Sequence, residues 1–196
     1  MLHYLKGKLV EKSPVHAVID CGGVAYFLNI SLGTFGKLPD QENILLYTHF
    51  SVNSNDFSFN LYGFYDETER DVFRKLISVS GVGPNTARMV LSGSSTEEVK
   101  QMILLRDIAG FKRIKGIGEK TAERIIVDLH DKISKGSEIV LEKISVSHNT
   151  TKVEALAALT SLGLERNKTE KVLDKIMLQQ PGIALEDLIK QVLKQL

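Results

Sequence analysis

"KGIGEKTAERI", Lys115 to Ile125, holds two glycines one residue apart, then a lysine and a run with helical spacing. An earlier stretch, "SGVGPNTARMV", Ser80 to Val90, matches it. Gly81-Val82-Gly83 lines up with Gly116-Ile117-Gly118 at an offset of 35 residues, and Thr86 and Ala87 meet Thr121 and Ala122 at the same offset. A matched pair of this kind reads as a duplicated unit. Each copy is predicted to be helix, tight hairpin, helix. The apolar residue between the glycines anchors the hairpin in a core. The glycines permit backbone angles and close approaches that a side chain would block, and the alanine lets the two helices pack closely.

This reading has a chemical consequence. Backbone N–H groups in a hairpin and at the start of the following helix lack helical partners. They point outward at the positive end of the helix dipole, which suits an anion. Pro84 at the first helical position fits the same pattern. A phosphate held this way reports no base identity, so the contact is independent of sequence. The candidate contacts are Gly81, Val82, Gly83, Pro84 and Asn85 in the first copy. In the second they are Lys115, Gly116, Ile117, Gly118, Glu119, Lys120, Thr121 and Arg124. Lys112, Arg113, Lys115, Lys120 and Arg124 set five positive charges against Glu119 and Glu123 around the second hairpin. The first copy has only Arg88 close by.

Other phosphate motifs fit poorly. A dinucleotide fingerprint needs a third glycine where Thr121 stands, and no βαβ pattern surrounds it. An ATPase-type loop needs glycine, lysine and serine or threonine in succession, and Glu119 separates Gly118 from Lys120. An enzyme reading survives as an alternative: the hairpin is similar to that of base-excision DNA glycosylases, with Lys120 as a Schiff-base nucleophile. The β-rich N-terminus and the missing iron–sulfur cysteines speak against it. A second alternative is a protein-interaction adaptor acting through its C-terminal helices.

Working outward, residues 1–64 read as β. "YLKGKLVEK", "HAVIDCGGVAYFLNIS", "NILLYTHFSV" and "FNLYGFY" are rich in β-branched and aromatic residues and are broken by turn formers. Several short strands suggest a closed barrel. Residues 65–135 are helical, with capping boxes expected at Asp66/Glu69 and Ser95/Glu98. Residues 136–150 lack a period and read as a flexible linker. Residues 151–196 read as three short helices, with Leu156, Leu159, Leu162 and Leu164 as core candidates or an exposed apolar patch. The predicted architecture is β then all-α: a barrel, a tandem helix-hairpin-helix domain and a small three-helix domain.

The bulk numbers bound the function. In 196 residues, 25 basic and 24 acidic side chains leave a net charge of +1, so nucleic-acid binding must come from a local patch. Cys21 is the single cysteine, so no intrachain disulfide or cysteine zinc site forms, which points to a reducing cytoplasm. No apolar run reaches the roughly 20 residues of a membrane span. The histidines at 3, 16, 49, 130 and 148 show no metal spacing. No metal, cofactor or catalytic residue is expected.

The doubled motif looks like the helix-hairpin-helix DNA-binding element. The whole chain resembles the RuvA family of Holliday-junction-binding subunits of the bacterial RuvAB branch migration complex. The resemblance is carried by "LKGKLVEK", "YTHF", "LYGF", "LISVSGVGPNTA", "IKGIGEKTAERIIVDLHDKI" and "EALAALTSLGL", in the family's order. It implies an oligonucleotide-binding-type (OB-fold) barrel and paired motifs forming one body. It also implies a homotetramer or octamer on a four-way DNA junction, and a third domain that binds a RuvB-type hexameric ATPase through Leu159, Leu162 and Leu164. A RuvC-type resolvase is implied in the larger complex, and no membrane. The family's acidic pin at the junction centre corresponds to Asn55 and Asp56, in a longer loop with a single carboxylate. Asn85 and Glu119 stand where the family often has lysine.

Overall fold

The computed structural model describes residues 2–40, 42–52, 57–142 and 149–195. The chain divides into two compact units, Met1–Lys135 and Gly136–Leu196.

In the first unit the alternating runs become strands β1 (Tyr4–Lys12), β2 (His16–Asp20), β3 (Ala25–Asn29), β4 (Asn43–Val52) and β5 (Phe59–Phe64). The run "HAVIDCGGVAYFLNIS" breaks into two strands at its glycine pair, where Gly22 and Gly23 take positive φ and the Gly23 N–H bonds the Asp20 carboxylate at 2.7 Å. The strands close in the order β1-β2-β3-β5-β4, antiparallel except for a short parallel β3–β5 pairing. This is the OB-like barrel expected, and closure leaves no free sheet edge. Its interior is Leu5, Leu9, Ala17, Ile19, Leu28, Ile30, Leu38, Ile44 and Leu46. A bulge between Leu9 and Glu11 bends β1 around this core. At Gly7 a Cβ would sit 2.2 Å from the Asp20 carbonyl oxygen, so only glycine fits that crossing.

The rest of this unit is helical: α1 (Leu32–Lys37), α2 (Glu67–Ile77), α3 (Pro84–Gly93), α4 (Thr96–Leu104), α5 (Ile108–Lys112) and most of α6 (Glu119–Glu142), which runs on past Lys135. The short α1 was not foreseen; Ser31 caps it by accepting from the Thr34 N–H. Alternation along β5 turns Tyr62 and Phe64 away from the barrel interior and onto the helices. Both rings lie against fully buried Phe73 of α2, at 5.1 and 4.9 Å between centroids. One core therefore runs from β5 through α2, α3, α5 and α6, and the barrel and hairpin helices form one body. Buried Arg70 adds a polar clasp, donating to the His3 carbonyl at 2.9 Å and to Glu67 at 2.8 Å beneath the Tyr47 ring.

The Ser95/Glu98 capping box forms in full at α4. At α2 only half of the expected box forms: Asp66 accepts from the Glu69 N–H, but the Glu69 side chain turns elsewhere. It is buried, accepting from the Ser31 hydroxyl and from Thr34 Oγ1 at 2.7 Å. Those hydroxyls in turn accept the N–H groups of Thr34 and Tyr65. Glutamate serves here because both its oxygens only accept. Burial raises the Glu69 pKa, and the two hydroxyl bonds oppose the rise. Glu69→Ala should destabilise the protein by about 2 kcal/mol, since two buried hydroxyls lose their acceptor. A raised carboxyl pKa contributes stability that is present below its unfolded value and lost as pH rises through the folded one. Denaturant unfolding should therefore show a larger deficit near pH 4 than near pH 7.

The second unit packs α7 (Asn149–Ser161), α8 (Arg166–Gln179) and α9 (Leu185–Gln195) around Ala155, Leu159, Leu173, Ile176, Leu188 and Val192. The stretch read as a linker, 136–150, is covered by the end of α6 to Glu142 and the start of α7, and residues 143–148 lie outside those described.

Candidate nucleic-acid interface

The two matched stretches fold alike. Gly81 and Gly116 both take φ of +90°, a conformation that favours glycine. The Val82 N–H bonds the Val79 carbonyl at 3.0 Å, and the Ile117 N–H bonds that of Ile114 at 3.1 Å. Val82 and Ile117 are buried between their glycines, 5% and 6% exposed, and Ala87 and Ala122 are fully buried where the helices meet. The apolar anchor and the small packing residue thus act as the spacing predicts.

The outward side is equally matched. Gly83 and Gly118 are exposed, and a Cβ on either would meet nothing within 4 Å. Gly83 caps α3 without a side-chain bond, and Pro84 occupies the first turn. Gly118 precedes α6 in the same way, its carbonyl taking the Ala122 N–H at 3.0 Å. Each hairpin therefore presents first-turn N–H groups at an open, positive helix end.

The hairpins also touch each other's copies. Arg124, in α6, donates from Nη1 to the Ser80 carbonyl of the first hairpin at 3.1 Å, and a Cβ on Gly81 would lie 3.9 Å from the same atom. Met89, in α3, is the repeat equivalent of Arg124, and its Cε lies 3.7 Å from where a Gly116 Cβ would be. Sequence reasoning passed over Met89; the offset that pairs it with Arg124 was the available signal.

Charge is unequal between the copies. Lys115 and Lys120 are exposed and make no ion pair among the described residues, nor does Arg113. Glu119 reaches back to Lys112 at 3.4 Å and stands in the first turn of α6, where a carboxylate favours the helix dipole. Arg88 does not serve the first hairpin: it donates to the Val15 carbonyl in the β1–β2 turn at 3.1 Å. Thr121 is half-buried, and Asn85 is exposed.

The remaining candidates separate clearly. Asn55 and Asp56 lie outside the described residues. Leu159 is fully buried in the core of the second unit, as its reading as a core candidate has it, which corrects its place among the motor-binding leucines. Gly163 at φ +91° stops α7, with the Leu164 N–H on the Leu159 carbonyl at 3.2 Å and that of Gly163 on Thr160 at 3.0 Å. This helix stop brings Leu164 back over the last turn, where it packs on the core, and leaves Leu162 outside at 64% exposure. Cys21 donates weakly to the Lys6 carbonyl at 3.4 Å, a packing role. Among the described residues no group of three His, Cys, Asp or Glu side chains could hold a metal, and no helix is long and apolar enough to cross a membrane.

Comparison with known families gives three matches in chain order. Residues 1–63 match the RuvA N terminal domain, 73–131 the SAM-like helix-hairpin-helix tandem, and 153–196 the RuvA C-terminal domain. Among similar proteins, one from Christiangramia forsetii is 48% identical over 198 residues, one from Flavobacterium psychrophilum 45% over 197, and one from Bacteroides thetaiotaomicron 42% over 206. Each alignment covers 100% of both chains, and each relative is described as Holliday junction branch migration complex subunit RuvA.

Proposed function

The chain belongs to the RuvA family, and from that premise we propose that it binds four-way DNA junctions without regard to sequence and recruits a motor to them. It acts by binding rather than by catalysis. The observation that carries this reading is the pair of matched hairpins, each offering unpaired N–H groups at an open helix end. Gly81, Gly83, Asn85, Gly116, Gly118, Lys115 and Lys120 hold phosphate oxygens, and charge adds the long-range term. Four copies assemble on the junction as a tetramer, or eight as a pair of tetramers, in the cytoplasm. Asn55 and Asp56 take the place of the family's central pin. A RuvB-type hexameric ATPase docks on the second unit, and a RuvC-type resolvase joins the larger complex.

A gel-shift comparison of a four-way junction with a linear duplex of the same length tests the reading. Junction should be retained at protein concentrations that leave duplex free; equal, weak binding to both would count against it. Removal of residues 151–196 should leave junction affinity unchanged, because the first unit has its own continuous core.

Of the three leucines assigned to the motor, Leu162 is the one that stands exposed, just beyond α7. Leu162→Asp should lower stimulation of the motor ATPase by about tenfold, a typical cost for an apolar anchor at an interface. Junction binding and the unfolding temperature should not move. Unchanged stimulation would place the docking surface elsewhere.

A further inference from the structure

We infer that Arg124 serves the first hairpin rather than its own: it completes a grip that the first copy cannot build alone. The sequence places Arg124 in the second motif, among its cluster of cations. The fold sends its guanidinium across to Ser80 and Gly81. That is where a cation is missing. The first hairpin carries Pro84 and Asn85 where the second has Glu119 and Lys120, and Arg88 is held by the barrel turn at Val15.

The geometry gives Arg124 two tasks. One N–H fixes the Ser80 carbonyl, which holds the backbone leading into Gly81. The guanidinium has five N–H groups in a rigid fork, and no second hydrogen bond or ion pair engages it among the described residues. The free edge brings a positive charge beside the hairpin's own N–H groups. Lysine also carries a charge and three donors, but on one compact nitrogen at the end of a flexible stem, without the rigid planar fork that lets arginine hold Ser80 on one edge and present another. The repeat equivalent, Met89, fills the same place at the second hairpin without charge, and that hairpin has lysines of its own. The first hairpin thus gains a cation that its own copy does not supply.

This inference rests on the phosphate-gripping role proposed above, and a double-mutant cycle separates the two. Gly83→Val and Gly118→Val each place a neutral, branched side chain in open space at one hairpin, where a phosphate would come. Arg124→Gln keeps a donor for Ser80 and removes the charge. In the full-length protein, Arg124→Gln should weaken four-way junction binding at least about fivefold and make the salt slope shallower by roughly 0.9 for each subunit, about three to four for a tetramer. The loss should vanish in the Gly83→Val background and persist in full in the Gly118→Val background. Arg124→Lys should recover the salt slope but only part of the affinity. Coupling to Gly118 instead, additivity with both hairpins, or an unchanged salt slope would overturn the assignment while leaving the DNA-binding role standing. If the unsubstituted protein bound no junction, both would fall. Unfolding temperatures of all variants, followed by circular dichroism, should stay with that of the unsubstituted protein.

Discussion

Junction affinity should fall by about four orders of magnitude when salt rises from about 50 to about 200 mM. The steepness comes from charge counting. Each subunit presents two hairpins, and the exposed Lys115, Lys120 and Arg113 are free to meet phosphate because Glu119 pairs with Lys112 instead. Two neutralised phosphates per subunit make about eight in the proposed tetramer, and each contributes roughly −0.9 to the slope of log affinity against log salt. Fluorescence anisotropy of a labelled junction across a salt series measures that slope directly. A slope shallower than about −3 would mean that charge at the hairpins does not drive binding.

Gly118→Asp should lower junction affinity about 100-fold, by filling the approach to the hairpin and adding a like charge beside phosphate. The fold should not suffer. A Cβ at Gly118 meets nothing within 4 Å, and the backbone there is not left-handed. An aspartate just before α6 is moreover a favourable cap. Stability should therefore hold or rise slightly while binding collapses, a combination that general damage does not produce. Gly116→Asp is the instructive contrast: at φ +90° it strains the hairpin itself, so stability and binding fall together. Anisotropy and thermal unfolding on the same samples separate the cases. Unchanged affinity for Gly118→Asp at moderate salt would refute the phosphate site.

Much of this was legible in the chain. The two glycine pairs, their apolar anchors and their alanines stand at one offset, and local geometry of that kind depends on local residues. The strands were legible for the same reason: alternation survives within each run, and turn formers mark the ends. What escaped reading was set by distant contacts. Glu69 has the spacing of a capping box, yet its carboxylate is claimed by Ser31 and Thr34, far earlier in the chain. Arg88 and Arg124 sit beside the hairpins in sequence, but one turns to the barrel and the other crosses to the opposite copy. Leu162 and Leu164 share an apolar pattern, and the helix stop at Gly163 decides which of them packs on the core.

The reciprocal contacts between the hairpins carry one more consequence. Arg124 reaches Gly81, and its equivalent Met89 reaches Gly116. Exchanging the two copies turns each contact into the other, which is the property of a half-turn rotation. The antiparallel strands of a duplex are related by half-turns too, whatever their bases. On the proposed function, a protein with this internal dyad would meet both strands of one DNA arm with the same backbone geometry, so sequence indifference would follow from matching symmetry as well as from phosphate chemistry. The dyad holds for the backbone and fails for the side chains, since lysine and methionine fall on one side and proline and arginine on the other. On the proposed function the two strands would therefore be gripped alike in shape and unlike in chemistry, and a bound arm would have a built-in polarity.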